Sequence, residues 1–237
     1  MTGAGDAAGL RQIFLGVSTA TLTTALFKRG LRNACIQGVR PLGPAARMAG
    51  PAFTLRYIPA REDLDTIEVF RDPLHPQRHA VETIPAGAVM VIDSRKDARA
   101  ASAGGILVRR MMMRGVAGVV TDGGLRDSHE IAKMAIPAYC QAPSAPTNLT
   151  LHHAVDIDVP IGCGDVAVYP GDWVVGDEEA VVVVPAGIAA GIAAEAASMT
   201  DFETYVEREV AAGRSIIGLY PPNAETRAAY EAEKARG

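Results

Sequence analysis

Cysteine is scarce in this chain and poorly placed for bridging. Cys35, Cys140 and Cys163 are the only three in 237 residues, odd in number and widely separated. That pattern excludes a disulfide framework and predicts a reducing, cytoplasmic setting. No pair has zinc-ligand spacing, so no zinc site is expected. An excess of basic charge is also missing. The net charge is −4 and the pI about 5.7, and the densest basic spot, Arg95 to Arg99, is too short and mixed to grip a phosphate backbone. Direct nucleic-acid binding is therefore not expected. Long apolar runs are absent too. Val181–Pro185 and the Ala-rich stretch to Ala197 are too short or too weakly hydrophobic to span a bilayer, and MTGAGDAAGL lacks the basic-then-apolar order of a signal peptide. The chain has no internal repeat, no low-complexity linker and no break in composition. A single domain over residues 1–237 follows, with 1–20 as an N-terminal extension and 221–237 as a C-terminal tail.

What is present is an ordinary globular mix, 49% hydrophobic and 21% charged, arranged as alternating strand and helix patterns. Apolar spacing over Leu22–Arg32 predicts a helix broken at Gly30, and Pro51–Ile58 alternates like a strand. Ala88–Asp93 and Val116–Asp122 are short apolar runs that suit strands buried on both faces. Between them Ile106–Arg114 reads as a helix, with Gly115 placed for a left-handed cap. The segment from 88 to 122 is thus a β-α-β unit with a right-handed crossover. A short helix over Ser128–Met134 and a strand over Ile136–Cys140 follow. Val155–Val159 and Val166–Tyr169 look like β-hairpin elements, and Pro170-Gly171-Asp172 is a turn beside which Trp173 should pack. Val181–Val184 is a further buried strand, and Ala186–Ala212 a long helix closed by Gly213.

The segment richest in chemistry is Thr121-Asp-Gly-Gly-Leu-Arg-Asp127. It sets a glycine-rich turn at the C-terminal end of a buried strand, where α/β folds present ligands. Glycines let a small anion approach the backbone, Arg126 has the fork that grips a carboxylate, and Asp127 offers the hard oxygen that Mg²⁺ or Mn²⁺ prefers. The same pattern also suits an ordinary strand–turn–helix with both side chains in solvent. A phosphate site is open as well, although neither G-x-G-x-x-G nor G-x-x-x-x-G-K-[ST] occurs.

Four blocks, in order, carry a wider likeness. They are Gly38–Leu42 with Gly50–Leu55, Gly115–Asp127, Val168–Asp172, and Gly176-Asp177 ahead of Val181–Pro185. Over residues 20 to 220 the chain resembles the RraA-like family. The resemblance implies a swivelling β/β/α fold within the α/β class, assembled as a homotrimer or a hexamer. It implies a divalent-metal (Mg²⁺ or Mn²⁺) aldolase of the 4-hydroxy-4-methyl-2-oxoglutarate type, cleaving a 2-oxo acid to pyruvate, with oxaloacetate decarboxylase activity at its side. Other members act as non-catalytic regulators that dock on a ribonuclease, and that is the rival reading here.

Carried over by residue, the likeness makes Arg126 the holder of the pyruvate unit and Asp127 the metal ligand. Backbone amides of Gly104, Gly105, Ile106 and Leu107 complete the carboxylate pocket at a helix start. Glu203 is the candidate contribution from a neighbouring subunit. Three positions depart from the family pattern. Gly105 stands where the aldolases carry an acid, Thr24 where an acid often precedes Ala-Leu, and Glu178-Glu179-Ala180 where Asp-Gly precedes the valine run. His129 invites a general-base role but reads better as a surface histidine. Cys163 reads as a buried, inert thiol.

Overall fold

The computed structural model describes residues 4–44 and 46–236, and residues 1–3 and 237, at the ends of the expected extension and tail, lie outside the described residues. Helix α1 spans Ala4–Gly16 and α2 Thr19–Lys28. The second starts before the apolar spacing predicts, because the Ser18 hydroxyl accepts the Thr21 N–H at 3.0 Å and caps it there. It stops short of Arg32 because Gly30 turns left-handed, at φ +83°. The two-residue strand β1 (Arg40–Pro41) is followed by the long β2 (Met48–Pro59). Next come α3 (Pro76–Thr83), β3 (Val89–Asp93), β4 (Ala101–Ala103), α4 (Gly105–Met113), β5 (Gly118–Thr121), β6 (Gly124–Leu125) and α5 (Ser128–Ile131). The remaining strands are β7 (Ala138–Cys140), β8 (Ala142–Pro143), β9 (His152–Ile157), β10 (Ile161–Cys163), β11 (Val166–Val168), β12 (Trp173–Gly176) and β13 (Val181–Val184). Helices α6 (Ala189–Ala211) and α7 (Ala224–Lys234) close the order.

The main sheet runs β1-β7-β5-β3-β2-β12-β13. Its centre, β2-β3-β5-β7, is parallel, and α4 crosses from β3 to β5 as the β-α-β reading requires. Gly115, at φ +78°, ends that helix, and the Val116 N–H reaches back to the Met111 carbonyl at 3.1 Å. Strand β2 serves three partners. Its first residues pair antiparallel with β12, its middle parallel with β3, and its end antiparallel with β9.

Successive side chains of a strand point to opposite faces, and the cores follow that rule. Met90 and Ile92 of β3 pack into one apolar cluster with α3 and α4, whereas Val89 and Val91 pack into a second. Val181 and Val183 of β13 join the second cluster. Val182 and Val184 turn into a third with α1, α2 and α6. The layers are therefore helices, sheet, sheet, helices.

One expectation needs correction. Val155–Val159 is no hairpin partner of the next strand. Strand β9 lies along β2, and the hairpin is β10–β11, with Ile161 opposite Val168. Trp173 packs against Phe14 of α1, with ring centroids 5.2 Å apart, so the N-terminal segment is part of the core around it. Among the described residues no helix is long and apolar enough to cross a membrane.

Candidate active site

A second, small parallel sheet, β4-β6-β8, builds the site. Ala101 pairs with Gly124 and Ala103 with Leu125, and the Arg126 N–H donates to the Ala103 carbonyl at 3.1 Å. Two parallel strands thus end side by side, one running into Gly104 and α4, the other into Arg126-Asp127 and α5. This is the carboxyl-end edge where α/β folds place ligands.

The glycine pair of the turn does something other than expected. Gly123 and Gly124 are buried and admit protein, not a ligand. A Cβ on Gly123 would lie 2.5 Å from the Ser94 Cβ, and one on Gly124 the same distance from the Ser144 Cβ. Beneath them Ser94, Ser102 and Thr121 form a buried hydroxyl cluster, with 2.6 Å contacts from Ser102 to each of the others. The Asp122 carboxylate accepts the Ser94 N–H at 2.7 Å and the Gly164 N–H at 3.1 Å. Burial pushes its carboxyl above the usual range, and those two hydrogen bonds pull against that rise. The cluster positions the turn from below.

Asp127 takes a left-handed backbone, φ 57° and ψ 33°, one that aspartate tolerates better than most residues. Its own carbonyl accepts the Glu130 and Ile131 N–H groups and starts α5, while its carboxylate reaches back to accept the Gly105 N–H at 3.0 Å. The Arg126 Nε lies 3.8 Å from the same Oδ2, and both side chains remain about half exposed, 46% and 47%. Gly104 is what lets them close in. A Cβ there would stand 2.8 Å from the Arg126 Cγ and 3.2 Å from the Asp127 Oδ2.

The four amides expected to hold a carboxylate are therefore not equivalent. The Gly105 N–H is taken by Asp127. Ile106 and Leu107 keep first-turn N–H groups, which have no acceptor within a helix. Arg126, Asp127, Gly104, Ile106 and Leu107 line one cavity of about 370 Å³. Part of its lining was not anticipated from sequence. Gln77 and Arg78 of α3 stand there with Phe70 and Asn148. Nothing in the order of residues ties positions 77 and 148 to 126, and amide side chains carry no spacing signature.

Other candidates fall elsewhere. Glu203 accepts the Thr21 hydroxyl at 2.9 Å and lines a different cavity, with Phe202 and Tyr220. His129 is 76% exposed and lies 3.0 Å from Glu130. Cys163 is fully buried, which holds its thiol well above the usual range and makes it a poor nucleophile.

The remaining sequence blocks are structural. Asp177 accepts the Thr19 N–H at 2.8 Å and the Thr19 hydroxyl at 2.7 Å, and its own turn through Glu179 and Ala180. Asp172 ties the Tyr169 N–H to the Ala186 N–H, both at 3.0 Å.

Fold and site together define a mixed α/β protein that sets an arginine and an aspartate at the carboxyl ends of two parallel strands. The chain belongs to the RraA-like family, whose model, described as Aldolase/RraA, matches residues 19–183. A relative from Halalkalibacterium halodurans, named provisionally as a 4-hydroxy-4-methyl-2-oxoglutarate aldolase, is 31% identical over 73% of this chain and 75% of its own. RraAS2 of Streptomyces coelicolor, described as an unusual member of the RNase ES inhibitor RraA family, superposes with a TM-score of 0.75. It is 28% identical over 84% of this chain and 96% of its own. An uncharacterized protein of Pseudomonas syringae pv. tomato shares the fold at a TM-score of 0.77 and 22% identity, covering 90% of this chain and 98% of that one.

Proposed function

We propose that this protein is a divalent-metal-dependent carbon–carbon lyase that releases pyruvate from a 4-hydroxy-2-oxo acid, with oxaloacetate decarboxylation as a side reaction. The observation that carries the reading is one cavity wall holding Arg126, Asp127 and the first turn of α4. The aldolase name of the 31% identical relative supports it.

The residues fit a metal ion of one kind. Among the described residues no group of three or more His, Cys, Asp or Glu side chains gathers as a ligand set, so a closed protein cage does not suit. Asp127 is a half-exposed carboxylate with one oxygen engaged by Gly105. That suits Mg²⁺ or Mn²⁺, which binds through one or two carboxylates and keeps several waters. When bound, the ion supplies Lewis acidity at the 2-oxo group.

The chain's own part is binding and orientation. Arg126 grips the substrate carboxylate, and the Ile106 and Leu107 amides face the same anion at a helix start. Holding the head this way aligns the C3–C4 bond for cleavage. The electron pair of that bond passes into the pyruvate enolate, the 4-hydroxyl gives up its proton as the leaving aldehyde or ketone forms, and C3 takes up a proton. Nothing is oxidised or reduced. In a trimer or pair of trimers, Glu203 of an adjacent subunit would supply a further carboxylate.

Coupling pyruvate release to lactate dehydrogenase, with Mg²⁺ or Mn²⁺ and then with EDTA, tests the reading. Pyruvate should appear with metal and stop with chelator, and Asp127→Ala should lower turnover by at least about 100-fold. Near-normal turnover in that variant would remove Asp127 from the chemistry. The second reading, a regulator that docks on a ribonuclease, gains from Gly105, which leaves Asp127 as the one carboxylate among the described residues lining the cavity. Absence of pyruvate from folded, metal-loaded protein would favour it.

A further inference from the structure

Two isoleucines at the cavity of Arg126 and Asp127 stand largely in water. Ile67 is 65% exposed and Ile106 82%, and both line it. Phe70 and Leu107 line it as well and are half-buried. Gln77 and Asn148, at 2% and 4% exposed, offer a ligand almost nothing. Apart from Arg126 and Asp127, most of the lining that a ligand can touch is therefore apolar. One exposed isoleucine is ordinary, but several apolar side chains around one concave site mark a surface that binds something.

The chain sets Ile67 and Phe70 there deliberately little supported. They sit on a short 3₁₀ helix, Ile67–Arg71, in the crossing from β2 to α3. Of residues 61–75 only Asp65 and His75 are buried. Asp65 accepts the Arg61 N–H at 2.8 Å and meets the Nδ1 of His153, on β9, at 2.7 Å. The His75 ring packs edge-on against Phe70, with centroids 5.4 Å apart. Those two anchors place the apolar pair, because the rest of the segment has little packing to hold it.

We infer that Ile67 and Ile106, with Phe70 beside them, form the specificity surface for the substrate's tail, so that the preferred 2-oxo acid ends in an alkyl group. The inference rests on the lyase reading for the placement of the substrate's head at Arg126. It makes the second product an aliphatic aldehyde or ketone. A hydroxylated tail would set its hydroxyls against isoleucine, without partners. A carboxylate tail would give up water there, and its cation besides Arg126 would be Arg78, whose guanidinium already lies over the Phe70 ring at 4.4 Å. An alkyl tail gives up nothing on leaving water, and each methylene fully covered is worth about fourfold in affinity.

Binding tests this without requiring turnover. Calorimetric titration of the full chain with Mg²⁺ uses pyruvate, 2-oxobutanoate, 2-oxopentanoate and 2-oxohexanoate, one head with a lengthening tail, and then 2-oxoglutarate. Wild type should bind about two- to fourfold more tightly with each added methylene, and 2-oxohexanoate at least about tenfold more tightly than 2-oxoglutarate. Ile67→Ser and Ile106→Ser should each shrink the step per methylene, and Ile67→Leu should keep it. The step is a ratio within one variant, so partial unfolding, which weakens every ligand alike, does not imitate its loss. A flat series in wild type, as a neighbouring copy seated on the isoleucines would give, overturns the surface. Equal or tighter binding of 2-oxoglutarate does the same, and so does a step that survives both serine substitutions. If pyruvate itself fails to bind, the placement of the head falls and the inference falls with it. Pyruvate release from 4-hydroxy-2-oxohexanoate, assayed in parallel, reports on the lyase alone. Tail-dependent binding with no release would sink the lyase reading and keep the surface.

Discussion

Gly104 has an extended backbone, φ −120°, that any residue adopts, so its role is the space where a Cβ would be. Gly104→Ala should therefore fold with little loss of stability. Its methyl group would displace Arg126, since the nearest atom is that side chain's own Cγ at 2.8 Å. A shift near 1 Å at a positioning group costs about 10²-fold. We expect kcat/KM for pyruvate release to fall by roughly 10- to 100-fold with the unfolding temperature nearly kept, and a loss confined to stability would contradict the role. Gly105 makes the complementary case. A side chain there would start 3.1 Å from the Asp127 Cβ, so Gly105→Asp sets two carboxylates side by side. Like charges repel until a cation joins them. Millimolar Mg²⁺ should then raise the unfolding temperature of Gly105→Asp more than that of wild type, and an equal or smaller shift would show that the second carboxylate does not face the first.

Between elements, Asp177 joins the start of α2 to the turn linking β12 and β13. Burial alone would raise its carboxyl, but the hydrogen bonds from Thr19, Glu179 and Ala180 outweigh that and hold it below the usual range. Asp177→Ala strands several buried donors. It should cost about 1–3 kcal/mol, read as roughly 2–10 °C in Tm for a chain of this size. A change within error would mean that water replaces the carboxylate. This residue also shows what the sequence could and could not reveal. Pro170-Gly171-Asp172 was visible as a turn because proline and glycine fit adjacent turn positions, whereas Gly176-Asp177 stood out only through the family likeness. The β-α-β unit was visible because period-two and helical spacing differ so sharply over residues 88–122. The wall formed by Gln77 and Asn148 was not, since it depends on α3 and the loop before β9 meeting across the molecule. Pairing of β9 with β2 was hidden for the same reason, because alternation reports a strand but not its neighbour.

Across the molecule, acid should loosen the fold well before the carboxylates titrate. His152, fully buried, reaches the Asp97 and Ala100 carbonyls at 3.1 and 3.3 Å. Burial holds its pKa below the ordinary imidazole value, and burial acts on His75 in the same direction. The sign follows. A group whose folded pKa is depressed contributes stability above its unfolded value, near 6.5, and that contribution drains away as pH falls through the folded value. Denaturant midpoints should decline from pH 7 toward pH 5, and His152→Gln should flatten part of that slope. A profile unchanged by the substitution would assign the decline to other groups.

Strand β2 carries a consequence for how the chain is made. Its residues are complete once position 59 has been synthesised, but Trp173, which pairs with Pro51, comes more than a hundred residues later. During translation the first half of β2 therefore emerges as an unpaired edge, apolar and rich in free backbone groups, and waits for the C-terminal half to arrive. Contacts so distant along the chain slow folding and leave the nascent protein open to association with its neighbours. A strand shared by three partners therefore joins the two halves of the sheet only after the C-terminal half has been made.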